Sequence, residues 1–437
     1  MTRLPRHRSH GRVGRARYLV AVLDLGSVLA QLLVVLAATR LAGSAARRVG
    51  QPRAVGEIAA GLALGPTGLG TLAPELHGHL FPPQALTPLA TLANVGVLLL
   101  LFGVGARLDL GALRAHARTA VAVSHASIVG PFVLGLALAP ALPRSLAGPT
   151  GSPLAFALFL GTALSVTAFP VLATIVEERG LRDTRLGTLA LTAAAVDDVT
   201  AWTLLAAVTA VARANPAGAA IGRTAVASLA LALGAWGARR ALSLAARRSP
   251  APGAGAGGAE RWLPGALVLL VACAWATERA GLHALFGAFL AGTLLPRRDG
   301  LAAAIADRLG DLGRTFLLPA FFALTGLRTQ LDLGGGGAVW RAFAALLVAG
   351  VVGKLAGSAV AARWAGESWR DALALGALMN TRGLMALVVL TVGLDAGVIA
   401  PALFSLMVLV ALATTAMTTP LLTRLGVGAG APSPALP

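Results

Sequence analysis

Three ionisable side chains stand in runs that are otherwise built for lipid, and their types suit proton chemistry. Asp197 and Asp198 are adjacent in TAAAVDDVTAW (192–202) and are the only charges between Leu186 and Val211. On a membrane-insertion scale each mid-bilayer carboxylate costs about 2.5–3.5 kcal/mol, so the pair costs roughly 5–7 kcal/mol. Lys354, in VAGVVGKLAGSAV (348–360), is the single lysine in the chain; every other basic residue among the 36 Lys and Arg is arginine. A desolvated amine can lose its proton, whereas a guanidinium in practice does not. A titratable cation and two titratable anions inside apolar segments are the parts a proton-coupled machine needs. Neighbours on a helix point about 100° apart, so the two carboxylates cannot share all their partners and a division of roles is expected. Ala193, Ala194 and Ala195 let other backbones come close, which favours a packed core helix for this segment.

Two further runs read as interrupted membrane helices. In GTALSVTAFPVLATIV (161–176), Ser165 and Thr167 precede Pro170. Proline removes a backbone hydrogen bond and frees carbonyls upstream, and nearby hydroxyls can complete a cation shell. In GALMNTRGLMALVV (376–389), Asn380, Thr381, Arg382 and Gly383 interrupt an apolar run. Broken helices at corresponding places in two halves point to a transporter's midplane site. Glu57 and His125 are additional candidates at membrane depth.

The elements that must position these groups are transmembrane helices. The chain is 57% hydrophobic and only 12% charged, against about 25% charged residues for a soluble domain. Its net charge of +18 would suit nucleic acid in a soluble protein, but no basic-aromatic patch is present and no nucleic-acid partner is expected. The single cysteine, Cys273, forms neither an intrachain disulfide nor a metal cluster, and no cofactor is expected. Apolar segments predict an all-α polytopic membrane protein with about 13 spans. They fall near 20–46, 54–69, 86–106, 118–140, 154–177, 185–212, 220–242, 263–280, 282–296, 313–328, 338–362, 371–393 and 398–422. Arginines concentrate in the odd-numbered loops, such as Arg47 and Arg48, Arg179 and Arg182, and Arg297 and Arg298. The positive-inside rule makes those loops and the C-terminus cytoplasmic, although the basic tail over 1–18 then lies outside. SPAPGAGAGGAE (249–260) reads as a flexible linker dividing the chain in two. A short tail over 424–437 follows, with no soluble regulatory domain expected.

Five runs together resemble the monovalent cation:proton antiporters: QPRAVGEIAAGLALGPTGLG (51–70), FLGTALSVTAFPVLATIVEERGL (159–181), TAAAVDDVTAW, LPAFFALTGLRTQL (318–331) and ALMNTRGLMALVVL (377–390). The resemblance is to the branch holding plant cation/proton exchangers, Kef-type proteins and NapA-type sodium antiporters. It implies a transmembrane exchanger domain over 19–423 with two inverted repeats and two crossed, partly unwound helices. Core spans over about 118–212 and 338–422 would move against dimer-forming spans over about 20–106 and 263–328. Matched residue by residue, Asp198 is the expected ligand of the monovalent cation and Asp197 the neighbouring acid that pairs with Lys354. Ser165, Thr167, Pro170, Asn380, Thr381 and Arg382 would line the crossing, and Glu57 would support a gate.

The implied protein is a homodimer in the cell membrane that exchanges Na⁺ or K⁺ for protons and serves pH homeostasis; it is not an enzyme. Plant members place Asn-Asp where this chain has Asp197-Asp198, and some electrogenic relatives carry a carboxylate where Thr167 and Ala168 stand. Both departures leave the ion and the stoichiometry open. A Kef-like regulated potassium efflux system is the alternative transporter. An intramembrane aspartyl protease is remote, because its aspartates face each other from separate helices.

Overall fold

The computed structural model describes residues 25–82, 86–107, 117–150, 152–182, 184–213, 234, 237–244, 256–280, 284–297, 300–330 and 336–428. The expected N-terminal tail, most of the span over 220–242, most of the linker and the end of the C-terminal tail lie outside these residues. Within them the chain is helical almost throughout. In order the helices of ten or more residues are α1 (Leu25–Arg48), α2 (Arg53–Leu64), α3 (Leu86–Arg107), α4 (Ala117–Leu138), α5 (Pro153–Ser165), α6 (Phe169–Glu178), α7 (Arg185–Arg213) and α8 (Ala256–Arg279). They continue with α9 (Ala284–Leu294), α10 (Leu301–Leu312), α11 (Leu318–Leu327), α12 (Gly336–Trp364), α13 (Trp369–Met379), α14 (Leu384–Asp395) and α15 (Pro401–Arg424).

Among the described residues seven helices, α1, α3, α4, α7, α8, α12 and α15, are long and apolar enough to cross a bilayer. This is an all-α, multi-pass membrane fold. Two segments read as single spans are each a pair of half-helices, α5 with α6 and α13 with α14. Serine starts both pairs: the Ser152 and Ser368 hydroxyls accept from the amides of Ala155 and Asp371, each at 3.1 Å, satisfying donors that a helix start leaves open. The stretch between spans nine and ten, expected to be a loop, instead forms α10. Its sequence LAAAIADRLGDL alternates apolar and charged positions at helical spacing, which is a surface helix rather than a span. By contrast α11 is apolar all round and buried along residues 319–327.

Packing sorts the helices into two sets. In the first, α2 packs on α1 and α11, and α3 packs on α9, α10 and α11, with α8 against α9. In the second, α4 packs on α12, α5 and α7, while α13 lies on α12 and α15, and α14 on α5 and α15. The sets meet where α2 lies against α15. The second set repeats one order twice: long helix, two halves, long helix, first over α4–α7 and then over α12–α15.

Candidate ion site

The site is built where α4 and α12 come into backbone contact. A Cβ on Gly353 would stand 2.6 Å from the Pro131 nitrogen, and one on Gly357 would stand 2.5 Å from the Ala126 carbonyl oxygen. Only small residues allow that approach. It carries Lys354, fully buried, alongside Ser127 of α4 and the α5–α6 interruption.

Asp197 is the anion at this junction, and each of its oxygens is satisfied. Oδ1 accepts from the Ser127 hydroxyl at 2.9 Å. Oδ2 accepts from the Thr167 backbone amide at 2.9 Å and from Lys354 Nζ at 3.3 Å. Lys354 also donates to the Thr167 hydroxyl, and to Ser127 Oγ at 3.4 Å. A buried ion pair is tolerable only when further hydrogen bonds fill its remaining donors and acceptors, and α4, through Ser127, and the α5–α6 interruption, through Thr167, supply them here.

Residues 166–168, between α5 and α6, are extended, and the amides of Thr167 and Ala168 find partners on other segments of the chain. The Thr167 amide goes to Asp197, and the Ala168 amide donates to the Thr381 carbonyl at 3.0 Å. The Thr167 hydroxyl donates to the Met379 carbonyl at the end of α13, at 3.1 Å. The two interruptions therefore bond directly to each other, as buried irregular backbone requires.

Asp198 differs from its neighbour. It is 2% exposed, yet neither carboxylate oxygen has a hydrogen-bond partner among the described residues. The side-chain amide of Asn380, which caps α13, is likewise buried with both polar atoms unpartnered. Its helix α13 packs on α7, which carries Asp198. Buried polar groups left without partners in an otherwise well-satisfied core mark a place for a proton, water or ion.

Arg382 is nearly fully buried and reaches back to the first interruption. Its guanidinium nitrogens donate to the carbonyls of Ala163 at 3.0 Å and Leu164 at 2.6 Å, at the C-terminal end of α5. Helix C-termini carry partial negative charge and open carbonyls, so a cation there is favourable. The Thr415 hydroxyl of α15 holds the backbone of Arg382 by accepting from its amide at 3.0 Å and donating to its carbonyl at 2.5 Å.

Other expected site residues take quieter places. Ser165 bonds to the Gly161 and Ile128 carbonyls, and the Thr381 hydroxyl to the Leu378 carbonyl. Pro170 lies in the first turn of α6, where its missing amide costs nothing. Glu57 lies in the other helix set, its side chain against Gly43 of α1 and near Arg53 and Arg40. His125 is exposed on α4 and bonds to the Val121 carbonyl at 2.9 Å, so it is no part of the site. Ser127 and Thr415 were not foreseen. Ser124 and Ser127 share one buried face of α4 at i, i+3 spacing, a signal that the neighbouring histidine obscured.

The pattern of the transmembrane sodium/hydrogen exchangers matches residues 32–425. The chain belongs to the sodium/hydrogen exchanger family. Within that family it is similar to Na(+)/H(+) antiporter NhaS4 of Synechocystis, with 38% identity over 91% of this chain and 97% of that protein. It is also 38% identical to Cation/H(+) antiporter 17 of Arabidopsis thaliana over 90% of this chain, of which it spans about half, 47%. The fold is similar to that of the sodium proton antiporter MjNhaP1 of Methanocaldococcus jannaschii, with a TM-score of 0.56, 15% identity, and coverage of 92% of this chain and 97% of that one. As a member of a transporter family, this exchanger-type chain places its acid pair, lysine and two helix interruptions in one buried junction.

Proposed function

We propose that the protein exchanges a monovalent cation, Na⁺ or K⁺, for protons across the cell membrane, with Asp198 as the shared binding group. The carrying observation is the contrast within the pair. Asp197 is fully satisfied by Ser127, Thr167 and Lys354, whereas Asp198 is equally buried and has no protein partner among the described residues. An ionised carboxylate alone in an apolar interior costs several kcal/mol, so Asp198 is stable with a proton or with a cation and unstable with neither. Competition for one site couples the two fluxes in opposite directions, provided the empty site does not change sides. Asp197 and Lys354 then form the pair that is retained when the cation leaves, and the Asn380 amide oxygen is a further ligand.

In this reading the second helix set moves as an elevator against the first, with two inverted repeats behind the doubled helix order, and a homodimer forms through the first set. The arginine-rich helix ends face the cytoplasm. Contacts among them support a single side: Arg185 pairs with Glu367 at 2.7 Å, and Arg370 donates to the Leu425 carbonyl at 2.7 Å. The names of NhaS4 and the plant antiporter support cation/proton exchange and leave the ion open. Fluorescence dequenching in everted vesicles tests the proposal. Adding Na⁺, K⁺ or Li⁺ should release the proton gradient, and silence with all three across the neutral pH range would overturn it.

A further inference from the structure

We propose that Ser124 of α4 and Ser358 of α12 hold an ordered water that carries protons between Asp197 and the arginine-rich helix ends. Both hydroxyls are fully buried, and neither has a hydrogen-bond partner among the described residues. A serine or threonine inside a helix ordinarily turns its hydroxyl back onto a carbonyl three or four residues earlier. Ser127, Thr162, Ser165 and Thr200 of this chain do so. A buried hydroxyl left out of that arrangement is costly unless water completes it.

The two hydroxyls belong to one turn of the same seam. The close approaches of Gly353 to Pro131 and of Gly357 to Ala126 make α4 and α12 antiparallel. In that register the helical rise sets Ser127, Ser358 and Ser124 about 3, 6 and 7.5 Å beyond Lys354 along the shared axis. Ser124 lies three residues before Ser127, which bonds Lys354 and Asp197, and Ser358 lies four residues after Lys354. Each therefore shares a helix face with a member of the site. On α7, which packs on α4, the buried residues one turn before Asp197 are Ala193 and Ala194, and they offer the hydroxyls no side-chain polar group.

The seam ends at a carboxylate. Glu367 follows α12, its amide bonded to the Ala362 carbonyl at 3.1 Å, one turn beyond Ser358. Its side chain is 11% exposed and pairs with Arg185 at the start of α7. A proton arriving from that end moves onto the water as the water gives one to Ser127 Oγ. Ser127 passes its own proton to Asp197 Oδ1 along the existing 2.9 Å bond. Each oxygen between gains one proton and loses one, Asp197 ends protonated, and the reverse sequence carries a proton out. No step touches Asp198, so the relay leaves cation affinity alone. The water site rests on the geometry, whereas its use as a relay rests on the exchange proposed above.

A density map of the purified full-length protein, at a resolution that shows ordered water, should place one within hydrogen-bond distance of both hydroxyls. Hydroxyls turned back onto the carbonyls of Ala120 and Lys354, with no water between them, would overturn the site. In proteoliposomes Ser124→Ala and Ser358→Ala should each lower turnover at saturating cation several-fold. The half-saturating cation concentration and the thermal midpoint should match the wild type, because neither hydroxyl has a protein partner to lose. Slower turnover with a raised half-saturating concentration or a fallen midpoint would assign the serines to the cation site or to packing and overturn the relay. Unchanged turnover in the double variant would overturn it too. Wild-type silence toward every cation would remove the proposed function and the relay with it, leaving the map to decide the water.

Discussion

At the first interruption, between α5 and α6, the chain contributes a hydroxyl and two backbone amides; at the second, between α13 and α14, it contributes a carboxamide and a guanidinium. The first is served from outside. Asp197 takes its Thr167 amide, Lys354 takes its hydroxyl, and Arg382 caps the carbonyls of Ala163 and Leu164. The second mostly serves others, sending Arg382 across to α5 while Asn380 keeps both polar atoms unpartnered and Gly383 starts α14 without a side-chain cap. Charge compensation is therefore concentrated on one of the two interruptions. A fully bonded arm gives a stiff wall, and the open polar atoms of Asp198 and Asn380 are left for the transported ion.

That asymmetry is broken most severely at Asp198. Asp198→Asn should abolish cation-dependent proton movement in everted vesicles while the thermal midpoint holds or rises, since a buried unpartnered carboxylate disappears. A fall in midpoint would show that the carboxylate has a structural partner after all. Lys354→Ala attacks the stiff arm and leaves Asp197 buried without its cation. The expected loss of stability is about 3–5 kcal/mol, read by denaturant or thermal unfolding. Charge moved per cycle, measured on supported membranes, should change more than cation affinity does, and unchanged electrogenicity would remove the lysine from the coupling pair.

Arg382→Gln should cost about 2–3 kcal/mol by uncapping two carbonyls of α5, and Arg382→Lys should recover part of it. Equal stability of the glutamine variant would show that the capping of α5 contributes nothing. Ser127→Ala is the mildest change. It removes one of the three side-chain and backbone donors to Asp197, at about 1 kcal/mol, and should leave exchange measurable.

Much of this was legible from residue types alone. Charges in lipid-length apolar runs are expensive, so Asp197, Asp198, Lys354 and Arg382 declared themselves, and Pro170 and the Asn-Thr-Arg-Gly run marked both interruptions. Ser127 was not legible, because a serine is cheap in a membrane helix and leaves no energetic signature. His125 drew attention that its exposed position does not support. The helix α10 was not legible either, since its two acidic residues and its arginine make the segment too polar to read as a span.

The sequence by itself determined the all-helical membrane fold and the set of buried ionisable groups, because hydropathy and desolvation are local properties of a segment. Only the tertiary structure decided how those groups pair. Small residues let α4 and α12 touch, and with α7 packed on α4 Lys354 meets Asp197 over a separation of 157 residues, while Arg382 reaches α5 over 218. Pairing across such distances depends on which backbones can approach each other, and no run of neighbouring residues encodes that alone.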